Sequence, residues 1–230
     1  MSSIAPTTVT CAKTVPEAKT LMGALALFLR FPTPKILGAK AALFVALRSL
    51  LGEFSIWESA VILAVVLWWP FQEWFLHKTV LHLKPRVIFG HNFDPMFAKR
   101  HRYHHSFPWI LETTFLPTGF VLAMTPLHVG LWFLFAPTWE FACTGIAAYT
   151  FVTIVYEWTH YLTHSPYRPR SEYVKKIYKN HALHHFKNEN YWFSFTVPAI
   201  DRFCGTDPEG DVVKSDTCKT LGVDDGFVVP

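Results

Sequence analysis

The chain has 230 residues, 51% of them hydrophobic and 17% aromatic, with a formal net charge of +4 at neutral pH. Its apolar residues gather into stretches long enough to cross a bilayer, which sets aside a freely soluble globule. The basic residues cluster beside those stretches, so the charge reads as a topology signal, with no nucleic-acid partner implied.

Met1 to Thr20 is rich in Ser, Thr, Ala and Pro and carries no cleavable signal pattern, so residues 1–20 are expected to form a flexible cytosolic tail. Leu21 to Phe31 is too short to span and reads as an interfacial helix. Ile36 to Leu51 contains Lys40 and Arg48, and would cross only with those side chains snorkelling or buried in protein. Ile56 to Leu76, Thr114 to Pro137 and Trp139 to Thr159 each suit a bilayer, which needs about 20 apolar residues at 1.5 Å each.

The loop after the first strong span carries Lys84, Arg86, Lys99, Arg100 and Arg102, and the region after the third carries Arg168, Arg170, Lys175, Lys176, Lys179 and Lys187, whereas the turn near Pro137 carries none. Both basic regions are expected in the cytosol. A cytosolic N-terminus then requires an even number of spans and favours Ile36 to Leu51 as the fourth. From Cys204 onward, glycines among acids read as loop, with residues 207–230 as a C-terminal tail. Cys11, Cys143, Cys204 and Cys218 show no paired metal spacing and read as plain thiols, and one domain is the simplest account.

Ten of the twelve histidines fall into four clusters: His77 with His82, His101 with His104 and His105, His160 with His164, and His181 with His184 and His185. Residues three and four apart share a helical face, so the last three clusters each present a fork of imidazoles able to grip one ion. His77 and His82 are five apart, about 140° on a regular helix, so they serve different ions or sit where the helix ends. His91 and His128 stand outside the clusters, as a loop residue and a helix residue. All ten clustered histidines fall at the cytosolic ends of spans or in the basic segments, on one side of the membrane. Neutral imidazole is the commonest nitrogen ligand of first-row metals, and ten ligands suit two ions.

Zinc is redox-silent and would serve hydrolysis, whereas two iron ions fit oxidation of an unactivated C–H bond in a lipid tail. Trp68, Trp69, Phe71, Trp74 and Phe75 either line a lipid channel or form an interfacial belt. Glu73 and Glu157 share a helical face with His77 and His160 and are candidate partners for their second ring nitrogens. A metal transporter would place its ligands near the bilayer midplane, where only His128 lies.

The segments F-L-H-K-T-V-L-H at 75 to 82, H-R-Y-H-H-S-F-P at 101 to 108, H-Y-L-T-H at 160 to 164 and N-H-A-L-H-H-F-K at 180 to 187, with D-R-F-C-G-T at 201 to 206, resemble the fatty acid hydroxylase and sterol desaturase superfamily, nearest its fatty acid 2-hydroxylases. The likeness covers roughly residues 53 to 206. It implies an all-α, multi-pass membrane protein of about four transmembrane helices, in the bacterial inner membrane or endoplasmic reticulum, with residues 21–206 as the membrane domain. A cytosolic helical cap would hold the ten-histidine dimetal centre, with Asp201 as a third supporting acid. The resemblance implies a membrane lipid substrate, dioxygen, and electrons from a separate carrier such as a b-type cytochrome or ferredoxin, since no His-Pro-Gly-Gly haem motif occurs. Purified protein is expected to hold zinc in place of iron where zinc competes for nitrogen ligands. Related enzymes also oxidise sterol, hopanoid or carotenoid rings. Two departures stand out: Ile110 and Thr113 replace the acid and arginine usual after Pro108, and Trp192 replaces a glycine, where its ring would shorten or bend the channel.

Overall fold

The structure is a computed structural model that describes residue 10 and residues 15–216; Cys11, Cys218 and the rest of both termini lie outside the described residues. Among the described residues, eight α-helices run in chain order: α1 (Leu21–Phe28), α2 (Pro32–Ser49), α3 (Ile56–Leu76), α4 (Met96–Ser106), α5 (Thr118–Phe135), α6 (Trp139–His164), α7 (Glu172–Phe186) and α8 (Ala199–Phe203). Local chemistry sets the starts. Ser55 and Glu58 form a capping box at α3, Thr20 accepts from the Gly23 amide at α1, and Pro32 opens α2.

Three expectations need correction. The chain is not wholly helical, because Arg86–Ile88 (β1) pairs antiparallel with His91–Phe93 (β2). Phe89 and Gly90 both take positive φ, the primed turn that matches strand twist, so His91 is a strand residue and not a loop residue. The N-terminal tail is also shorter than residues 1–20: Pro16–Lys19 forms a 3-10 turn, and Val15 and Ala18 are buried with Phe28, Phe115 and Tyr161. Helix α1 belongs to the same core through Ala24, Leu27 and Phe28, and only its other side, with Leu21, Met22 and Leu25, faces outward. Thirdly, α5 begins at Thr118 and not Thr114, since Pro117 disfavours helix at the residue before it; α6 conversely runs on to His164.

Two stretches, Ile56–Leu81 and Leu111–Phe135, are long and apolar enough to cross a membrane. Both leave large apolar side chains uncovered, among them Leu63, Leu67, Trp68, Leu127 and Leu134, a surface that suits lipid and not water. The third expected span differs. Helix α6 is the protein-facing element, burying Ala142 through Ile146 and then Thr150, Thr153 and Glu157 against α2, α3 and α5. Its polar Thr and Glu residues lower its hydropathy because its neighbours are helices.

The two awkward cations of α2 are both partnered. Arg48 Nε and Nη2 each donate to the Glu58 carboxylate at 2.5 Å, and Thr144 donates to the same group, joining α2, α3 and α6 inside the protein. Losing one member strands a buried charge, whereas removing both costs less. Arg48→Met is therefore expected to lower the thermal midpoint of the detergent-solubilised protein, and Arg48→Met with Glu58→Leu to recover most of that loss, as read by a thermal melt.

Candidate metal centre

The ten clustered histidines converge, but not one cluster to one ion. His77, His82, His101, His105 and His184 bring ligand nitrogens within 4.8 Å of one another, and His104, His160, His164, His181 and His185 do the same. Each H-x-x-H-H motif is thus divided: His101 and His105 go to the first group while His104 goes to the second, and His181 and His185 go to the second while His184 goes to the first. The expectation that each fork grips one ion fits His160 with His164, which share the second group, and is corrected for the two H-x-x-H-H motifs. The reason is helical: the first and fifth residues of the motif point together, while the fourth is rotated by about 100° from the fifth. The groups abut, with the His105 and His185 rings stacked at 4.2 Å.

The five-residue spacing of His77 and His82 is resolved by the backbone. His77–Leu81 is a π-helical turn, and the His82 amide donates to the His77 carbonyl at 3.3 Å. This wider turn returns the chain to the same side after five residues, so both rings serve the first group. Such turns recur at functional sites.

Four of the tautomers are fixed from outside the groups. His77 Nδ1 donates to the Phe193 carbonyl at 2.6 Å, His160 Nδ1 to the Thr114 carbonyl at 2.7 Å, and His184 Nδ1 to the Tyr191 carbonyl at 2.7 Å. His104 Nδ1 lies 3.1 Å from Thr113 Oγ1, whose own proton goes to the Ile110 carbonyl, so the hydroxyl accepts. A neutral ring with its proton on Nδ1 has a bare lone pair on Nε2. Burial, reinforced by neighbouring imidazoles, holds His101, His104, His105, His181, His184 and His185 well below the usual histidine range, and so keeps them neutral.

These Nε2 atoms face one another. His160 Nε2 lies 3.2 Å from His104 Nε2, both of them acceptors, and the buried His184 Nε2 has no hydrogen-bond partner. Acceptors converging on acceptors in a dry interior are costly unless a cation lies between them. The donor set therefore fits two nitrogen-liganded metal ions, one per group.

The acids act one step further out than the sequence suggests. Glu73 is not the partner of His77; its carboxylate accepts from the Phe195 amide at 2.7 Å, the Thr196 amide at 3.0 Å and the Thr196 hydroxyl. Glu157, wholly buried, accepts from the Leu116 amide at 3.2 Å and not from His160. Asp201 accepts from the Phe193 and Ser194 amides at 2.8 Å and from the Thr206 hydroxyl at 2.7 Å, while burial pushes it up to about 6. All three acids pin the loops whose carbonyls orient the histidines. Helical spacing could not show this, because the accepting carbonyls come from distant segments. Thr113 was noticed only as a departure, and its role at His104 emerges from the fold.

A cavity of about 310 Å³ leads away from the first group, with His77 at one end and Trp69, Val121, Met124 and Tyr156 among its walls. Of the five aromatics read as channel lining or interfacial belt, Trp69 alone lines the cavity; Trp68, Phe71 and Phe75 face outward, and Trp74 donates to Thr206 under Lys78. Nor does Trp192 narrow the channel. Its indole donates to Asp207 at 3.0 Å, and its φ of 57° explains why a glycine suits that position.

A helical chain with two lipid-facing stretches and two inward five-histidine groups has the makings of a membrane metalloprotein. The family model for fatty acid hydroxylases matches residues 62–206, and the chain belongs to that family. It is 28% identical over 144 residues to a dihydroceramide fatty acyl 2-hydroxylase of Arabidopsis thaliana, covering 62% of this chain and 58% of that protein. It is 26% identical to the ceramide very long chain fatty acid hydroxylase of Saccharomyces cerevisiae, covering 60% of this chain and 35% of that one. The chain thus matches less than two thirds of either relative's length. Full-length Scs7p, with only its hydroxylase domain visible, shares the fold at a TM-score of 0.60 and 22% identity, over 87% of this chain and 72% of that one.

Proposed function

We propose that the protein is a membrane-bound oxidoreductase that hydroxylates a lipid acyl chain, using two iron ions, dioxygen and electrons from a separate carrier such as a b-type cytochrome or ferredoxin. The observation that carries this reading is the junction of the first histidine group with an apolar cavity at His77. Membership of the fatty acid hydroxylase family, and relatives named for acyl hydroxylation, support it. Iron held by the two groups would supply the redox chemistry that lets dioxygen oxidise an unactivated C–H bond. The protein's own part is to hold and to exclude. Carbonyls of Phe193, Thr114 and Tyr191 keep the Nε2 lone pairs aimed inward, and Glu73, Glu157 and Asp201 hold those carbonyls in place. Apolar walls keep water from the reacting carbon and position the chain.

In this reading α2, α3, α5 and α6 cross the bilayer, and α4 and α7 form a cap on the cytosolic side. The lipid's polar end rests at that depth, so a carbon near the headgroup reacts, since lifting each methylene from the bilayer costs about 0.8 kcal/mol. Labelled dioxygen given to cells expressing the protein should place one labelled oxygen in a membrane acyl chain, read by mass spectrometry and lost in His104→Ala. A product with two fewer hydrogens and no added oxygen would identify a desaturase, and oxygen on a sterol or carotenoid ring would move the substrate class.

A further inference from the structure

The cavity that starts at His77 does not end on apolar side chains. Its far end holds Lys40 from α2, Gln72 from α3, His128 from α5 and Tyr149 from α6. Gln72, bonded to Tyr149, lies five residues before His77 along α3 and its C-cap, so this polar group sits about 8 Å from that histidine along the helix axis. Beyond it lies a second, more open cavity of about 440 Å³, also bounded by His128 and Tyr149. The polar group is the partition between the two.

Its hydrogen bonds leave donors to spare. Trp132 Nε1 donates to His128 Nε2 at 3.1 Å, so the neutral ring carries its proton on Nδ1, which faces Lys40 Nζ at 3.0 Å. Lys40 then accepts, as an uncharged amine, and keeps its N–H groups. Tyr149 receives a bond from Gln72, so its own O–H proton is also unspent. The threonines along the walls are occupied instead, Thr125 with the Val121 carbonyl, Thr150 with that of Ile146 and Thr153 with that of Tyr149. Ionisable side chains at membrane depth are costly to keep, and a plain methyl terminus would leave these donors unmatched.

We propose that Lys40 and Tyr149, with Lys40 held by His128, form a distal recognition site for a neutral oxygen, a hydroxyl or carbonyl, carried by the lipid about 8 Å from the carbon presented at His77. This rests on the reading of the cavity as the lipid site. The substrate class it defines is a lipid chain with an oxygen function about six bonds beyond the reacting carbon. An eight-carbon chain fits that span, because its terminus lies about 8 Å from its second carbon at about 3.8 Å per three trans bonds.

The test uses the full chain in phosphatidylcholine nanodiscs, with ω-hydroxyoctanoic acid and octanoic acid competing for binding and, separately, for oxidation by the iron-loaded protein under dioxygen with a reduced b-type cytochrome or ferredoxin. Tighter binding of the hydroxylated chain by about tenfold or more is expected, the direction set by a site whose donors would otherwise stand unpaired. Lys40→Met and Tyr149→Phe should each shrink that preference while metal content holds. Equal binding of the two acids by the unaltered protein overturns the proposal, as does a preference that neither substitution moves. If a variant fails to fold, the unaltered protein's comparison still decides. Preferential binding without oxidation of either acid would uphold the distal site while counting against the hydroxylase reading, so the two fail separately.

Discussion

Replacing His184 by alanine is expected to reduce bound metal from about two ions per chain to about one and to abolish lipid hydroxylation. The same should hold for His181→Ala, but through the other ion. His184 belongs to the group with His77, His82, His101 and His105, and His181 to the group with His104, His160, His164 and His185. The double variant separates this crossed arrangement from one motif per ion. If the motif at 181 to 185 served a single ion, losing two of its members would still leave the other ion intact. In the crossed arrangement both groups lose a ligand and both ions leave, which metal analysis of the purified variants would read directly. Retention of one full equivalent in the double variant would overturn the assignment of ligands to groups.

Glu73→Gln is expected to leave membrane insertion intact yet lower activity or metal affinity by roughly 10- to 100-fold, the usual effect of disturbing a ligand's support. The mechanism is indirect. The carboxylate gathers the Phe195 and Thr196 amides and the Thr196 hydroxyl, and that loop carries the Phe193 carbonyl that orients His77. A glutamine amide nitrogen can only donate, so it cannot replace the oxygen facing Thr196. Thr196→Val should therefore give a loss in the same direction, measured on the same metal titration, and smaller, because both amide bonds to Glu73 survive. Unchanged affinity in both variants would make Glu73 a packing residue only.

The histidine pattern was legible because imidazoles at spacings of three and four must share a helical face. Their division was not, since it depends on how α4 and α7 are rotated about their axes relative to each other, and short polar helices carry little apolar patterning to fix that. The spacing from His77 to His82 was ambiguous for a plain reason: a π-helical turn has no sequence signature of its own, and five residues read on an α-helical wheel give the wrong angle. Helical spacing to the nearest histidine suggests direct contact for Glu73 and Glu157, and Asp201 enters by resemblance alone, whereas the contacts all three make are with backbone amides, those of Glu73 up to 123 residues away. Helix α6 reads in sequence as a span like the others, and only the fold shows that its threonines and Glu157 are buried against neighbouring helices. The short hairpin was missed because Phe89 gives no turn signal, although its positive φ is the feature that closes the loop.

The shared ownership of both groups by α4 and α7 also bears on how the protein acquires its metals. An ion taken up by the first group fixes the spacing and rotation of these two helices, and the same rigid elements carry His104, His181 and His185 of the second. Ordering that accompanies the first uptake need not recur at the second, so the two events are expected to be thermodynamically linked and loading to be cooperative. Half-loaded chains should then be scarce at limiting metal, and stripping one ion should loosen the grip on the other.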